Sequence, residues 1–197
     1  MEVILREVRL ALPSLFEPFV PRDGLKPGQV AKYGAVFLIE PGSANEKVMK
    51  DAMGNVATAL WQDKMVNIVT AMGPNQKCMR PGELKLIQGT GDVREGFAGM
   101  MQVIARNKAK PVVVDLDLSA VSPESGRVYA GCYVNAKIDV YAMKAKGEVP
   151  NGIYASLLAV QFVKAGDRFA GAGAVPSASG FESIGELPSA GQVDPFA

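Results

Sequence analysis

The chain has 197 residues, 48% of them apolar and 21% charged, which suits one domain with its own core plus a tail and is too short for two full domains. Histidine is absent and cysteine occurs only at Cys78 and Cys132, so the usual general base of Ser and Cys hydrolases and the donor set of a zinc site are both missing. The net charge of +1 is unevenly spread: residues 1–169 hold all 21 Lys and Arg, whereas residues 170–197 hold only the acids Glu182, Glu186 and Asp194, an asymmetry that suits nucleic-acid contact with the tail as a separate element.

The first residues lack the basic-then-apolar pattern of a secretory signal, and no apolar run reaches the roughly 18 residues that span a bilayer, so a cytoplasmic protein without membrane association is expected. Residues 2–12, EVILREVRLAL, suit a first strand. Pro13, Pro18, Pro21 and Pro27, with Gly24 and Gly28, are expected to break regular structure over a long connection. Phe16 and Phe19 in that connection either pin it to the core or stand ready to stack, and pinning is favoured because large rings are more often buried. Lys32–Glu40 reads as a second strand ending at Pro41-Gly42. Ser43 and Glu46 then have capping-box spacing, and Val48, Met49, Ala52, Val56, Ala59 and Leu60 follow at helical period. The spacing predicts an amphipathic helix over about 44–60, with a continuation through Trp61 towards Val69, its methionines serving as core filler.

From Gly73 to Gly99 the chain is rich in Gly and Pro, with Lys77, Arg80, Lys85 and Arg94 spaced through it. GTGDVREG, residues 89–96, lacks the Lys-Ser/Thr of a phosphate loop and reads as a turn. A stretch of this length and composition can also lie as a basic loop along a nucleic-acid groove. Met100–Lys108 is expected as a strand with Arg106 and Lys108 on the same face as Gln102 and Ile104, and Lys110-Pro111 marks the turn after it. Val112–Leu118 follows as another strand. Its Asp115 and Asp117 share a side, but a magnesium site needs further acids that the sequence does not place beside them, so solvated carboxylates near a turn are expected and no metal.

Residues 127–144, RVYAGCYVNAKIDVYAMK, alternate strictly with a period of two. Val128, Ala130, Cys132, Val134, Ala136, Ile138, Val140 and Ala142 would form one wall of a core. Arg127, Tyr129, Tyr133, Asn135, Lys137 and Tyr141 would stand on the other face, interleaving rings with cations and an amide. Such a face suits single-stranded nucleic acid, whose bases stack on rings while Lys and Arg neutralise phosphates. Tyr is also common on strand surfaces for its β-propensity alone. Gly131 allows a bulge, a bend or a close approach of another backbone. After the turn AKGEVPNG, Ile153–Lys164 is a strand apolar on both faces, with Tyr154, Phe162 and Lys164 on one side. From residue 170 onward periodicity disappears and a flexible tail is expected.

The order strand, strand, helix, long loop and further strands fits a mainly β, OB-fold-like Greek-key barrel of about five strands over residues 1–169, with one inserted amphipathic helix and a disordered tail over 170–197. KYGAVFLIEP before a capped helix, GRVYAGCYVNAKIDVYA, GIYASLLAVQFVK and the ending DPFA together resemble the bacteriophage single-stranded DNA-binding proteins, small OB-fold replication accessory proteins. That resemblance implies a non-enzymatic protein without cofactor that protects single strands in phage DNA replication and recombination, in the host-cell cytoplasm. It also implies that an acidic tail closed by an aromatic recruits replication and recombination partners, here through Asp194, Pro195 and Phe196. This tail differs in its three acids and in the Ala197 that follows the ring. The DNA-binding candidates are Arg127, Tyr129, Tyr133, Asn135, Lys137 and Tyr141 with Arg106, Lys108 and Lys110. The competing reading is a structural or assembly protein that uses the Tyr-rich face as a subunit interface; whether identical chains associate stays open.

Overall fold

Alternating apolar positions from the first residues onward build the longest strand, β1 (Glu2–Phe19), in the computed structural model, which describes residues 1–21, 23–26 and 28–169. Its register slips between Leu5 and Val8 and again between Ala11 and Ser14, where Glu7 and Leu12 take positive φ of 50° and 48°. These bulges bend the strand, so that its first half pairs with β6 (Tyr133–Met143) and its second half with β2 (Lys32–Ile39). The break expected at Pro13 and Pro18 does not occur. Both prolines fall within irregular steps of the β1–β2 ladder, where a missing N–H removes no regular bond.

The remaining elements are α1 (Ala44–Trp61), α2 (Met65–Ala71), β3 (Met79–Pro81), β4 (Met101–Asn107), β5 (Val112–Val114) and β7 (Gly152–Lys164). Seven strands, against about five expected, form one sheet in the order β3-β4-β2-β1-β6-β7-β5; the two additional ones, β3 and β5, are three residues each. All ladders are antiparallel except β5 with β7. The five longer strands curl until β4 and β7 approach each other, giving a mainly β arrangement whose sheet is not closed by a ladder. Single bonds span the seam: Cys78 N–H donates to Ile153 O at 2.8 Å, Ile104 N–H to Cys78 O at 2.8 Å, and the Asn107 amide to Leu157 O at 3.1 Å.

The helix starts where expected. Glu46 N–H donates to Ser43 Oγ at 3.3 Å, and the Glu46 carboxylate accepts from Gly42 N–H at 2.7 Å. Met49, Ala52, Ala57 and Trp61 bury the inner stripe of α1, which packs on β6. Gln62, at φ 51°, ends it, and a single tight turn leads into α2.

The even positions Val134, Ala136, Ile138 and Val140 are wholly buried in the main core with Leu5, Leu10, Phe37 and Leu157. A second cluster, Ala11, Val36, Leu38, Phe97 and Phe169, lies on the outer face of β1 and β2. It forms because residues 82–99 and 165–169 fold over that face. β2 is therefore buried on both sides, which is why its sequence does not alternate.

Three further expectations are corrected. The strand expected over 127–144 begins only at Tyr133, because Gly131 takes φ 112° and the backbone of Asp167 comes so close that a Cβ there would lie 2.0 Å from its carbonyl oxygen. Arg127 and Tyr129 therefore precede the strand. The strand expected over Val112–Leu118 stops at Val114, since Asp115 and Asp117 accept from Leu116 N–H at 2.7 Å and Ser119 N–H at 3.0 Å and hold a turn. Phe19 is displayed and not pinned, at 62% exposure, whereas Phe16 packs against the core. The expected tail, 170–197, with Asp194, Pro195 and Phe196, lies outside the described residues.

Candidate functional site

The segment 82–99 folds back on itself as a short irregular hairpin. Leu86 bridges Val93, Ile87 N–H donates to Asp92 O at 2.8 Å, and GTGDVREG makes the turn. Arg94 N–H donates to Lys85 O at 2.9 Å, so the cationic residues of the two arms stand side by side. Phe97, buried in the outer cluster, anchors this hairpin against the sheet. Gly82 permits the close return, since a Cβ there would lie 2.0 Å from Phe97 O.

A cleft opens between the hairpin and the outer face of the sheet. Gln102, Ile104 and Arg106 of β4 line it together with Arg80 of β3, Lys32 and Gly34 of β2, Phe19 at the end of β1, and Lys85 and Arg94. An adjoining hollow shares Lys32, Arg80, Ile104 and Arg106 and adds Asn75, Lys77, Tyr141 and Tyr154. Gly34 lets the neighbouring strand lie close, for a Cβ would meet Ala105 O at 2.7 Å and the Arg106 side chain at 2.9 Å.

No Asp or Glu lines either hollow among the described residues. The ion pairs seen at Glu2, Glu7, Glu46, Asp115 and Asp139 all lie elsewhere. Burial, with Arg94, Arg106 and Arg80 nearby, holds the Lys85 ammonium below the usual lysine range. Burial and Arg106 lower Arg80 in the same way. Tyr141 and Tyr154 are cross-strand partners with ring centroids 6.0 Å apart and planes 42° to each other, and burial, with Tyr154 alongside, pushes the Tyr141 hydroxyl up. The result is a pair of adjoining, cation-lined hollows with Phe19 in one and Tyr141 and Tyr154 in the other, and a polyanion carrying aromatic groups is their chemical complement.

Of the candidates read from the sequence, Arg106 and Tyr141 meet in this cleft. The rest of the odd face of β6 is occupied by the protein's own side chains. Lys164 and Arg9 lie 4.8 Å and 5.9 Å from the Tyr133 ring centre, and Lys164 is itself paired with Glu7. The Asn135 amide donates to Gln161 at 3.0 Å and accepts from Glu7 N–H at 2.9 Å. Lys137 pairs with Glu2 at 2.7 Å. Arg127 pairs with Asp115 at 2.8 Å and covers the Phe162 ring. Tyr129 donates its hydroxyl to Gly166 O at 2.9 Å, and Arg168 sits 3.8 Å over its ring. Lys110 lies over Phe16, and Lys108 is exposed beyond the end of β4.

Lys32, Lys77, Arg80, Lys85, Arg94, Phe19 and Tyr154 are brought to the cleft by tertiary structure. The spaced cations of 73–99 and the Gly- and Pro-rich composition around them were the available signal. Tyr154 could be found by counting back from the turn 145–152, since the β6–β7 register sets Tyr141 opposite Tyr154.

Residues 1–190 match the family described as Enterobacter phage Enc34, ssDNA-binding protein. Putative protein p50 of Acyrthosiphon pisum secondary endosymbiont phage 1 is 36% identical over 190 residues, covering 93% of this chain and 94% of that protein. In fold the chain is similar to the single-stranded DNA-binding protein from bacteriophage Enc34 in complex with ssDNA, with a TM-score of 0.66 and 20% identity over 85% of this chain and 89% of the other. It is more distantly similar to gp2.5, a single-stranded DNA-binding protein encoded by bacteriophage T7, with a TM-score of 0.50 and 11% identity over 87% and 94% of the two chains.

Proposed function

Because the chain belongs to the Enterobacter phage Enc34 ssDNA-binding protein family, we propose that it binds single-stranded DNA in the cleft between residues 82–99 and the outer face of β2 and β4. The observation that carries this reading is a lining of cations and rings with no carboxylate among the described residues. Phosphates run past Lys32, Lys77, Arg80, Lys85, Arg94 and Arg106, while bases stack on Tyr141, Tyr154 and Phe19. Every base has a flat face, so stacking of this kind is tolerant of sequence, and a duplex keeps those faces buried. Lys108 and Lys110 extend the positive track beyond β4. Arg127, Tyr129, Tyr133, Asn135 and Lys137 support the scaffold, being engaged by neighbouring groups.

The protein acts without catalysis in the host-cell cytoplasm, covering single strands in phage DNA replication and recombination. Residues 1–169 form the binding body, and residues 170–197 recruit partners through Asp194, Pro195 and Phe196. Titration of fluorescent oligo-dT and of the matching duplex over a range of salt tests the binding reading. Tight single-strand and weak duplex binding are expected. If all the cleft cations meet phosphates, the logarithm of affinity should fall against that of salt with a slope of about −4. Equal affinity for both forms, or indifference to salt, would refute it.

A further inference from the structure

Gln102 is wholly buried on the cleft face of β4, and its amide nitrogen donates to Pro81 O at 2.9 Å. That bond sets which end of the amide is which, and leaves Oε1 as an acceptor with no partner. Directly across the β3–β4 ladder stands Arg80, whose Nη1 donates to Asn75 and whose Nε–H is also buried without an acceptor. An unmet acceptor and an unmet donor thus lie buried on opposite residues of one ladder, and both residues line the floor of the cleft. Leaving either group unpaired is costly, and a ligand that answers both at once removes both costs.

A phosphate cannot do so, since at neutral pH it brings acceptors only. The Watson–Crick edge of a base can: each of the four bases carries an N–H beside a ring nitrogen or a carbonyl oxygen. Resting on the cleft as the DNA site, we propose that Gln102 Oε1 and Arg80 Nε–H form a subsite for the Watson–Crick edge of one unpaired base. In a duplex that edge is taken by the opposite base, so the subsite rejects double strands on grounds separate from stacking. Because all four bases present such a pair, it imposes no strong sequence preference.

The test compares oligo-dT with the same oligomer in which thymine is replaced by difluorotoluene, which keeps the ring shape but hardly hydrogen-bonds, using the full chain. Wild type is expected to bind the analogue roughly three- to tenfold more weakly, the size of one or two hydrogen bonds. Gln102→Leu should lose that discrimination. Should Gln102→Leu fold poorly, Arg80→Lys serves instead, because it keeps the charge and the salt dependence but removes Nε–H. Equal discrimination by wild type and both variants would overturn the proposal and leave the pair holding water only. The cleft itself is checked separately with Lys85→Ala/Arg94→Ala: a shallower salt slope places the strand there whatever becomes of the subsite. An unchanged slope would fail the cleft reading and this inference with it.

Discussion

Tyr141 and Tyr133 stand on the same face of β6, yet their surroundings assign them different work. Tyr141 is 40% exposed and opens on the cleft beside Tyr154, whereas the Tyr133 ring already carries Arg9 and Lys164. Tyr141→Ala and Tyr154→Ala should each weaken single-strand binding by roughly 1 to 3 kcal/mol in equilibrium titrations. Tyr133→Ala should change affinity little. Tyr129→Ala should instead lower the urea midpoint, since its hydroxyl ties Gly166 to the segment that leads into β6. Lys85 gives a pH signature. Its folded-state pKa is depressed, so the protonated form destabilises the free protein below that pKa, and stability is regained as pH rises towards the unfolded value. Phosphate favours the charged form, so binding draws a proton onto Lys85. Affinity should therefore fall with rising pH before an ordinary lysine would titrate, and Lys85→Arg should abolish that early decline.

At the scale of elements, the apolar alternation of 133–143 and the capping box at Ser43 were legible because both are local: a period of two or a four-residue spacing carries its own meaning. Val134→Asp should accordingly abolish cooperative unfolding by placing a carboxylate in the main core, as circular dichroism would report. What could not be read depended on distant partners. Arg127 and Tyr129 continue the alternation in sequence, but the close approach of Asp167 at Gly131 ends the strand. Gly131→Ala should therefore destabilise the fold by about 1 to 3 kcal/mol in urea titration, from the left-handed backbone and the displaced 165–169 segment. Pro13 looked like a break because a bulge in β1 cannot be seen without the strand beside it. The cleft was the least legible part of the site. Lys85 and Arg94 converge only once residues 82–99 close into a hairpin, and they reach Arg80 and Arg106 only when that hairpin docks on β4 through Phe97.

For the whole molecule, charge divides between the cation-lined cleft and the acids Glu182, Glu186 and Asp194 of the last residues. Acids tethered to a body with such a cleft compete with phosphate, so deleting residues 170–197 should tighten single-strand binding modestly at low salt and less at high salt. Phe196→Ala should spare DNA binding while removing any partner that docks the ring, in pull-downs from infected-cell extract. The central claim is that the strand runs through the cleft and not over the Tyr133 face. Photo-cross-linking of the full chain to an oligomer carrying 5-iododeoxyuridine, followed by mapping of the modified residues, tests this most directly. Adducts on Tyr141, Tyr154 or Phe19 are expected, and adducts confined to Tyr129 and Tyr133 would contradict it.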